Sequence, residues 1–447
     1  MNIKAYFIPL VTLILATLLS IHRVVLFLTR NIPTGPLSFP ALFRLLTLII
    51  IIFLLFDLTV IRKPKRAKKS KSFLLLKLNW PIVILTLYLL IQPFIIDLSR
   101  WESNAFTTLR YISLFGNYLV LMLMTNNRKA AIEVKSITLS FILFLGFLSL
   151  GQHPFLIAGS GHTILSAAIS YRDGKSGSKT DGIFGAANED ANSMMVILPF
   201  LLLLIERFPS PWRQLARIFL ITYILFTLLF NSTRTALFIT FPIVLVLFYS
   251  RISIKHLFRL SLGVFVFLMP FYQNIYSFVM RAFASESLTE GTFGGRFSSL
   301  WMPAIEYTTQ KSSLLGFGST GWEHIFWEYV YQFKYLGRWV DHDLVDITSQ
   351  TYPPHSVFVW VYVSWGLVGL ALHLFFVFNM LHLSFKMSKS TQSDTCNLGR
   401  AIFCSSVAYL LWGGISNAFS DLGWCLLLSL GILCSCTYFI QTEKQGA

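Results

Sequence analysis

Three side chains with the chemistry to grip or activate an anionic substrate are spaced widely along this chain, in short polar knots. Arg234 lies in Asn231-Ser-Thr-Arg-Thr-Ala236, pinched between two long apolar runs. Arg296 follows a glycine pair in Gly294-Gly-Arg-Phe-Ser-Ser-Leu-Trp301, and His355 follows a proline pair in Pro353-Pro-His-Ser356. A guanidinium holds a phosphate through paired N–H donors. An imidazole, titrating near neutrality, suits a general base or a donor to phosphate. An ionisable group at the rim of an apolar run is costly unless paired and is a functional candidate by default, so Arg234 is the sharpest of the three. The plain alternatives are an Arg234 snorkelling to lipid phosphate, a solvated loop Arg296 and a His355 packed among rings. Gly294 and Gly295 allow close approach of backbone to a ligand, and a helix opening at Arg296 would favour an anion.

The elements that must position these residues are membrane spans. The chain has 447 residues, of which 55% are hydrophobic, 16% aromatic and 13% charged, with a mean hydropathy of +0.65. About twelve runs are apolar enough to span a bilayer by window hydropathy, at 6–28, 41–61, 78–96, 108–125, 136–150, 192–205, 215–230, 235–250, 260–279, 356–384, 401–416 and 422–440. Only helices satisfy the backbone inside such runs. The expected fold is therefore an all-α polytopic membrane protein, one integral membrane domain over 1–447. The first run lacks a small-residue cleavage site and reads as a retained helix. No internal repeat supports a transporter of duplicated halves.

The densest basic cluster, Arg62-Lys-Pro-Lys-Arg-Ala-Lys-Lys-Ser-Lys71, belongs in the cytoplasm. Alternating from it places Arg128-Lys129, Arg207, Arg213, Arg251, Lys255, Arg259, Lys386 and Lys389 on that side, with both termini. Arg234, Arg296 and His355 then share the outer face. The net charge of +16 reflects this inside bias and contact with anionic lipid headgroups. There is no soluble basic domain to bind nucleic acid. Cys396, Cys404, Cys425, Cys434 and Cys436 lie mostly in apolar stretches, without metal-ligand spacing, and read as small buried hydrophobes.

Two outer connections are long enough to be functional. The first, 151–191, is polar and Gly-rich, and its Arg172, Lys175 and Lys179 could guide an anionic glycan. The second, 280–355, joins the ninth and tenth spans and should be partly helical. Phe297, Leu300, Trp301, Ala304 and Ile305 have helical spacing over 296–310, Gly316-Phe-Gly-Ser-Thr-Gly321 turns the chain, and rings from Trp322 to Trp339 predict a second helical stretch. Those rings could stack sugars or lie in the membrane interface. Asp341-His-Asp-Leu-Val-Asp346 could hold a divalent ion, although a solvated loop is the simpler reading. The first outer loop, Thr29-Arg-Asn-Ile-Pro-Thr-Gly-Pro36, has no carboxylate, which argues against metal-dependent membrane glycosyltransferases.

Ser232-Thr-Arg-Thr-Ala236, Gly295-Arg-x4-Trp301, Gly316-x-Gly318, and Pro354-His-Ser356 followed by Trp365-Gly-Leu-Val-Gly369 resemble the signature blocks of the O-antigen ligase and O-antigen polymerase superfamily. Phe184-Gly-Ala-Ala-Asn188 resembles its Gly-Asn segment, with Asn188-Glu-Asp-Ala where the family often has Asn-Pro-Asn. Arg172 departs from the Arg-to-Gly spacing of polymerase loops. The resemblance implies a glycan transferred from an undecaprenyl-pyrophosphate carrier to an acceptor hydroxyl, at the periplasmic face of the bacterial inner membrane and without a metal or other cofactor. It implies that Arg234 and Arg296 hold the pyrophosphate and that His355 serves the acceptor or the leaving group. Arg172, Lys175, Asn188, Trp301 and Arg338 are the further candidates for contact with substrate. The acceptor would be another lipid-linked repeat in a polymerase, or a lipid A-core sugar in a ligase, with a chain-length regulator as a further partner. A long, polar, basic first loop favours the polymerase. A flippase or transporter is the rival class, and it predicts charges at mid-membrane and short outer loops.

Overall fold

The computed structural model describes residues 79–96, 101–125, 128–159, 187–230, 239, 297–326, 329, 334–335, 338–339, 354–415 and 421–445. The expected first, second, eighth and ninth spans, apart from Ile239, lie outside these. So do Arg234, Arg296, Arg172, Lys175, Lys179 and the 341–346 cluster.

The described elements run α1 (Trp80–Ile95), α2 (Trp101–Met124), α3 (Arg128–Gly159), α4 (Ala187–Ile205) and α5 (Ser210–Phe230). A π-helical turn (Phe297–Trp301) leads into α6 (Met302–Ser312), followed by α7 (Gly321–Ile325), β1 (Lys334–Tyr335) and β2 (Arg338–Trp339). Three long helices close the chain: α8 (Val357–Ser388), α9 (Ser393–Ile415) and α10 (Asp421–Gln445). Among the described residues, four helices are long and apolar enough to cross a membrane, at Arg128–Gly151, Val357–Ser388, Ser393–Ile415 and Leu422–Thr442. The chain is a helical, multi-pass membrane protein.

Burial ranks these helices. The apolar window of α10 is 89% buried and that of α3 only 39%, so among the described candidate spans α10 is the most enclosed and α3 the least. Helix α10 packs on α3, α9 and α2, while α8 packs on α9 and α1. Close approach comes from small residues, as is usual where lipid offers no hydrophobic drive between helices. A Cβ on Gly431 of α10 would sit 2.6 Å from the Phe376 ring of α8. The outward faces carry Leu87, Ile91 and Phe94 on α1 and Trp212, Ile218 and Phe219 on α5, apolar side chains that a bilayer solvates.

One polar network among the described helices is deeply buried. Asn79, just ahead of α1, donates to the Ser435 hydroxyl of α10 at 3.0 Å and accepts from it at 3.1 Å, while the Tyr118 hydroxyl of α2 donates to the same amide oxygen. In an interior of low dielectric, such a satisfied network fixes one arrangement of three helices.

The structure alters two expectations about the loops. Helix α3 continues through Gly159 and α4 begins at Ala187, so both helices extend into the expected 151–191 loop. The ring-rich stretch 322–339 is not one helix. It opens with the short α7, and further on Lys334 pairs with Trp339 and Tyr335 with Arg338 in an antiparallel ladder. Rings at helical spacing are equally suited to a pleated strand, and here cross-strand pairing prevails. By contrast, the helix expected over 296–310 is present, beginning as a π turn.

Candidate functional site

His355 is placed by its neighbours on both sides. It is 8% exposed and has φ +51, the one positive φ at a non-glycine among the described residues. That conformation costs a side-chain-bearing residue about 1 kcal/mol or more, so something must hold it. On the N-terminal side, the Trp301 indole N–H donates to the carbonyl of Pro354, and both residues are buried. On the C-terminal side, Ser356 is extended (φ −152, ψ 124) and its hydroxyl accepts from the Val359 N–H at 3.4 Å, capping α8. The left-handed turn at His355 lets the chain leave the tryptophan clamp and enter the helix within two residues.

Trp301 ends the π turn whose first residue, Phe297, directly follows Arg296. The described part of one polar knot picked out in the sequence, Phe297–Trp301, is therefore tied to another, Pro354–Ser356, by one indole hydrogen bond. A π turn is rare and commonly found at functional positions. Asn188 falls in the first turn of α4 and Arg338 in β2, beyond which their side chains lie outside the described residues.

Helix α8 is broken. Gly366 has φ +64 and ψ −167, which separates the first nine residues, Val357–Trp365 (the outer segment, named for its place at the end of the helix), from the longer part that follows. A break strands backbone groups that lipid cannot satisfy. Here the Gly316-x-Gly318 turn satisfies them. Phe317 N–H donates to the Val363 carbonyl and Gly318 N–H to that of Ser364, both at 2.9 Å. In return, Leu367 N–H donates to Ser313 at 2.9 Å and Val368 N–H to Leu314 at 3.3 Å. The two backbones meet at glycine on each side: a Cβ on Gly316 would lie 2.5 Å from the Gly366 nitrogen, and one on Gly366 would lie 2.2 Å from the Leu314 oxygen.

Two side chains of α1 complete the seal. The Tyr88 hydroxyl lies 2.8 Å from the Leu315 carbonyl and 2.9 Å from that of Trp365. The Gln92 amide nitrogen donates to Leu315 at 2.6 Å and to Ser364 at 2.9 Å. Around the outer segment, Tyr111 and Trp360 pack on Trp365 at centroid distances of 5.2 and 5.1 Å, and Trp424 of α10 packs on it at 5.5 Å. Thr108 of α2 bonds Ser319 at 2.8 Å, fixing the far end of the same turn.

A charged pair borders this assembly. Burial pushes the Glu323 carboxyl of α7 upward while the Arg110 guanidinium of α2 pulls it down. Burial also raises the Tyr329 phenol, and the charge of Glu306 adds to that.

Sequence reasoning missed Tyr88, Gln92, Arg110 and Glu323. Gln92 carried a signal, as an amide inside an apolar run. The others did not, because their partners are remote in sequence. Among the described residues, no group of three or more His, Cys, Asp or Glu is placed to hold a metal ion.

Residues 218–374 match the family model described as O-antigen ligase. The matched stretch contains Arg234, Arg296, Trp301, the Gly316-x-Gly318 turn, His355 and Gly366. The resemblance drawn from the motifs is therefore supported over that stretch, about a third of the chain. No curated protein matches the chain.

Proposed function

We propose that this chain, with its match to the O-antigen ligase family, is an inner-membrane glycosyltransferase that polymerises a surface polysaccharide from undecaprenyl-pyrophosphate-linked repeat units at the periplasmic face. The observation that carries the reading is the Trp301–Pro354 hydrogen bond. It ties the segment that follows Arg296 to the buried His355 within the matched domain.

In this reading the acceptor hydroxyl oxygen attacks the anomeric carbon of the carrier-linked sugar. The bond from that carbon to the phosphate oxygen breaks, and the pyrophosphate leaves with the electron pair. His355 takes the acceptor proton. Arg234 and Arg296 hold the pyrophosphate and stabilise the charge that grows on it, which is usually the largest single contribution of an enzyme site. The configuration at the anomeric carbon inverts, and no metal takes part. Lys175, Arg172, Asn188 and Arg338 are assigned to the glycan. The termini lie in the cytoplasm, and a chain-length regulator is a natural partner.

Arg234→Ala, Arg296→Ala and His355→Ala should each abolish long-chain polysaccharide on a gel, with the amount of protein in the membrane unchanged. Normal ladders from the two arginine variants would sink the proposal. The family's description favours a second reading, ligation of finished chains to lipid A-core. A deletion strain separates them. Loss of a polymerase leaves single repeats on the core, whereas loss of a ligase leaves full chains on the carrier.

A further inference from the structure

We propose that Tyr88 and Gln92 are positioning residues for glycan transfer, setting the aim of His355 through the outer segment of α8. The inference rests on the reading of His355 given above. Gly366 uncouples that segment from the rest of α8, so its direction is not inherited from the membrane-crossing helix. It is set at its two ends. At one end, Trp301 holds the Pro354 carbonyl. At the other, the carbonyls of Ser364 and Trp365 are held by Gln92 at 2.9 Å and Tyr88 at 2.9 Å.

The same two side chains hold Leu315, at the tip of the turn docked into the break, at 2.6 and 2.8 Å. One pair of side chains therefore locks both the segment and the turn that seals it. Gln92 is 1% exposed, and its amide oxygen has no hydrogen-bond partner among the described residues. A glutamine buried for packing alone gains nothing from that bare oxygen. Its nitrogen, which must be the atom facing the carbonyls because only it can donate, makes the contacts that matter. The outer segment spans nine residues, roughly 13 Å of helix, so a small tilt at the clamp is a displacement of the order of 1 Å at His355.

The test uses the full-length protein in lipid nanodiscs and lipid-linked repeat units extracted from cells that lack this chain. Gln92→Met keeps the length and apolar bulk while removing the bonds donated to Leu315 and Ser364 and a third to the Tyr88 hydroxyl at 3.2 Å, and Tyr88→Phe removes a single oxygen. For each, donor binding is titrated to count competent sites, and turnover is measured per bound donor. The expected result is unchanged donor affinity with turnover per site reduced on the order of tenfold or more, as a misplaced catalytic group would give. A purely structural role lowers the number of sites and leaves turnover per site alone. That outcome in both variants overturns the inference, and Tyr88→Phe decides the matter should Gln92→Met yield no folded protein. His355→Ala is run beside them. If it is inactive while both clamp variants turn over normally, this inference alone falls. If it keeps wild-type turnover, the parent reading falls and takes this one with it.

Discussion

Gly366→Ala is the sharpest perturbation the structure offers. The backbone there, φ +64 and ψ −167, belongs to a region essentially reserved for glycine, and forcing an L side chain into it costs on the order of 1–3 kcal/mol. The added methyl would also meet the Leu314 oxygen at 2.2 Å, its carbonyl carbon at 2.4 Å and the Gly316 nitrogen at 2.6 Å. All three are backbone atoms, so no side chain can swing aside. The relief available is to straighten α8, which regains intrahelical bonds for Leu367 and Val368 and adds about 1 kcal/mol of helix propensity. Straightening ejects the turn, which loses the bonds donated by Phe317 and Gly318 and those received at Leu315. The four bonds lost oppose this, while the strain of about 1–3 kcal/mol and the regained propensity of about 1 kcal/mol together weaken the docking of the turn by roughly 3 kcal/mol, a factor of about 100. Long-chain polysaccharide, read by densitometry of a gel, should therefore fall about 100-fold. The amount of protein in the membrane should stay within about twofold, because the membrane-crossing part of α8 survives. Gly414→Ala is the control. Among the described residues its Cβ would touch only the Phe358 ring at 3.8 Å, so activity should not change. A normal ladder from Gly366→Ala would refute the role assigned to the broken helix.

Two further substitutions probe the neighbouring contacts. Trp301→Phe keeps a ring but leaves the buried Pro354 carbonyl without its donor, at a local cost of about 1–3 kcal/mol. Purified enzyme should lose most of its turnover while its melting temperature moves by only a few degrees, and unaltered turnover would contradict the stitch between the two knots. Glu323→Gln tests a pH dependence. The carboxyl is raised in the folded state, so its ionisation destabilises the fold as pH rises through that raised value. The variant should therefore melt higher than wild type near neutral pH, with the gain disappearing as pH falls below the ordinary carboxylate range. A gain that persists in acid would point to some other cause.

What the sequence disclosed depended on how local the determining contacts are. Trp301, Gly316, Gly318, His355 and Ser356 announce themselves because proline and glycine pairs are expensive inside apolar surroundings and so mark special backbone. The presence of α8, α9 and α10 follows from hydropathy, but their extents do not: α9 begins at Ser393, ahead of the apolar run expected from 401, and α10 runs on to Gln445. The break at Gly366 was hidden: a glycine in Trp365-Gly-Leu-Val-Gly369 is compatible with a straight membrane helix, where glycine is common. Tyr88 and Gln92 were invisible as a pair because their acceptors lie more than 200 positions away, at separations of 223 to 277 residues. Rings from Trp322 to Trp339 misled, since the period that suggests a helix does not exclude the pairing of Tyr335 with Arg338.

The break and the turn are best understood as one device. A helix interrupted within an apolar span exposes carbonyls and N–H groups that neither lipid nor its own ladder can satisfy, so an unsealed break would close by straightening. The turn at 313–318 supplies four backbone partners, and α1 supplies two side chains more. Sealing therefore converts an unstable interruption into a fixed bend. The bend in turn frees the outer nine residues to follow Trp301 and the π turn rather than the membrane-crossing axis. A residue placed at the start of that segment can be oriented for chemistry without disturbing how the helix crosses the membrane. His355 sits two residues ahead of that start, and its left-handed backbone is held there by Trp301 on one side and Ser356 on the other.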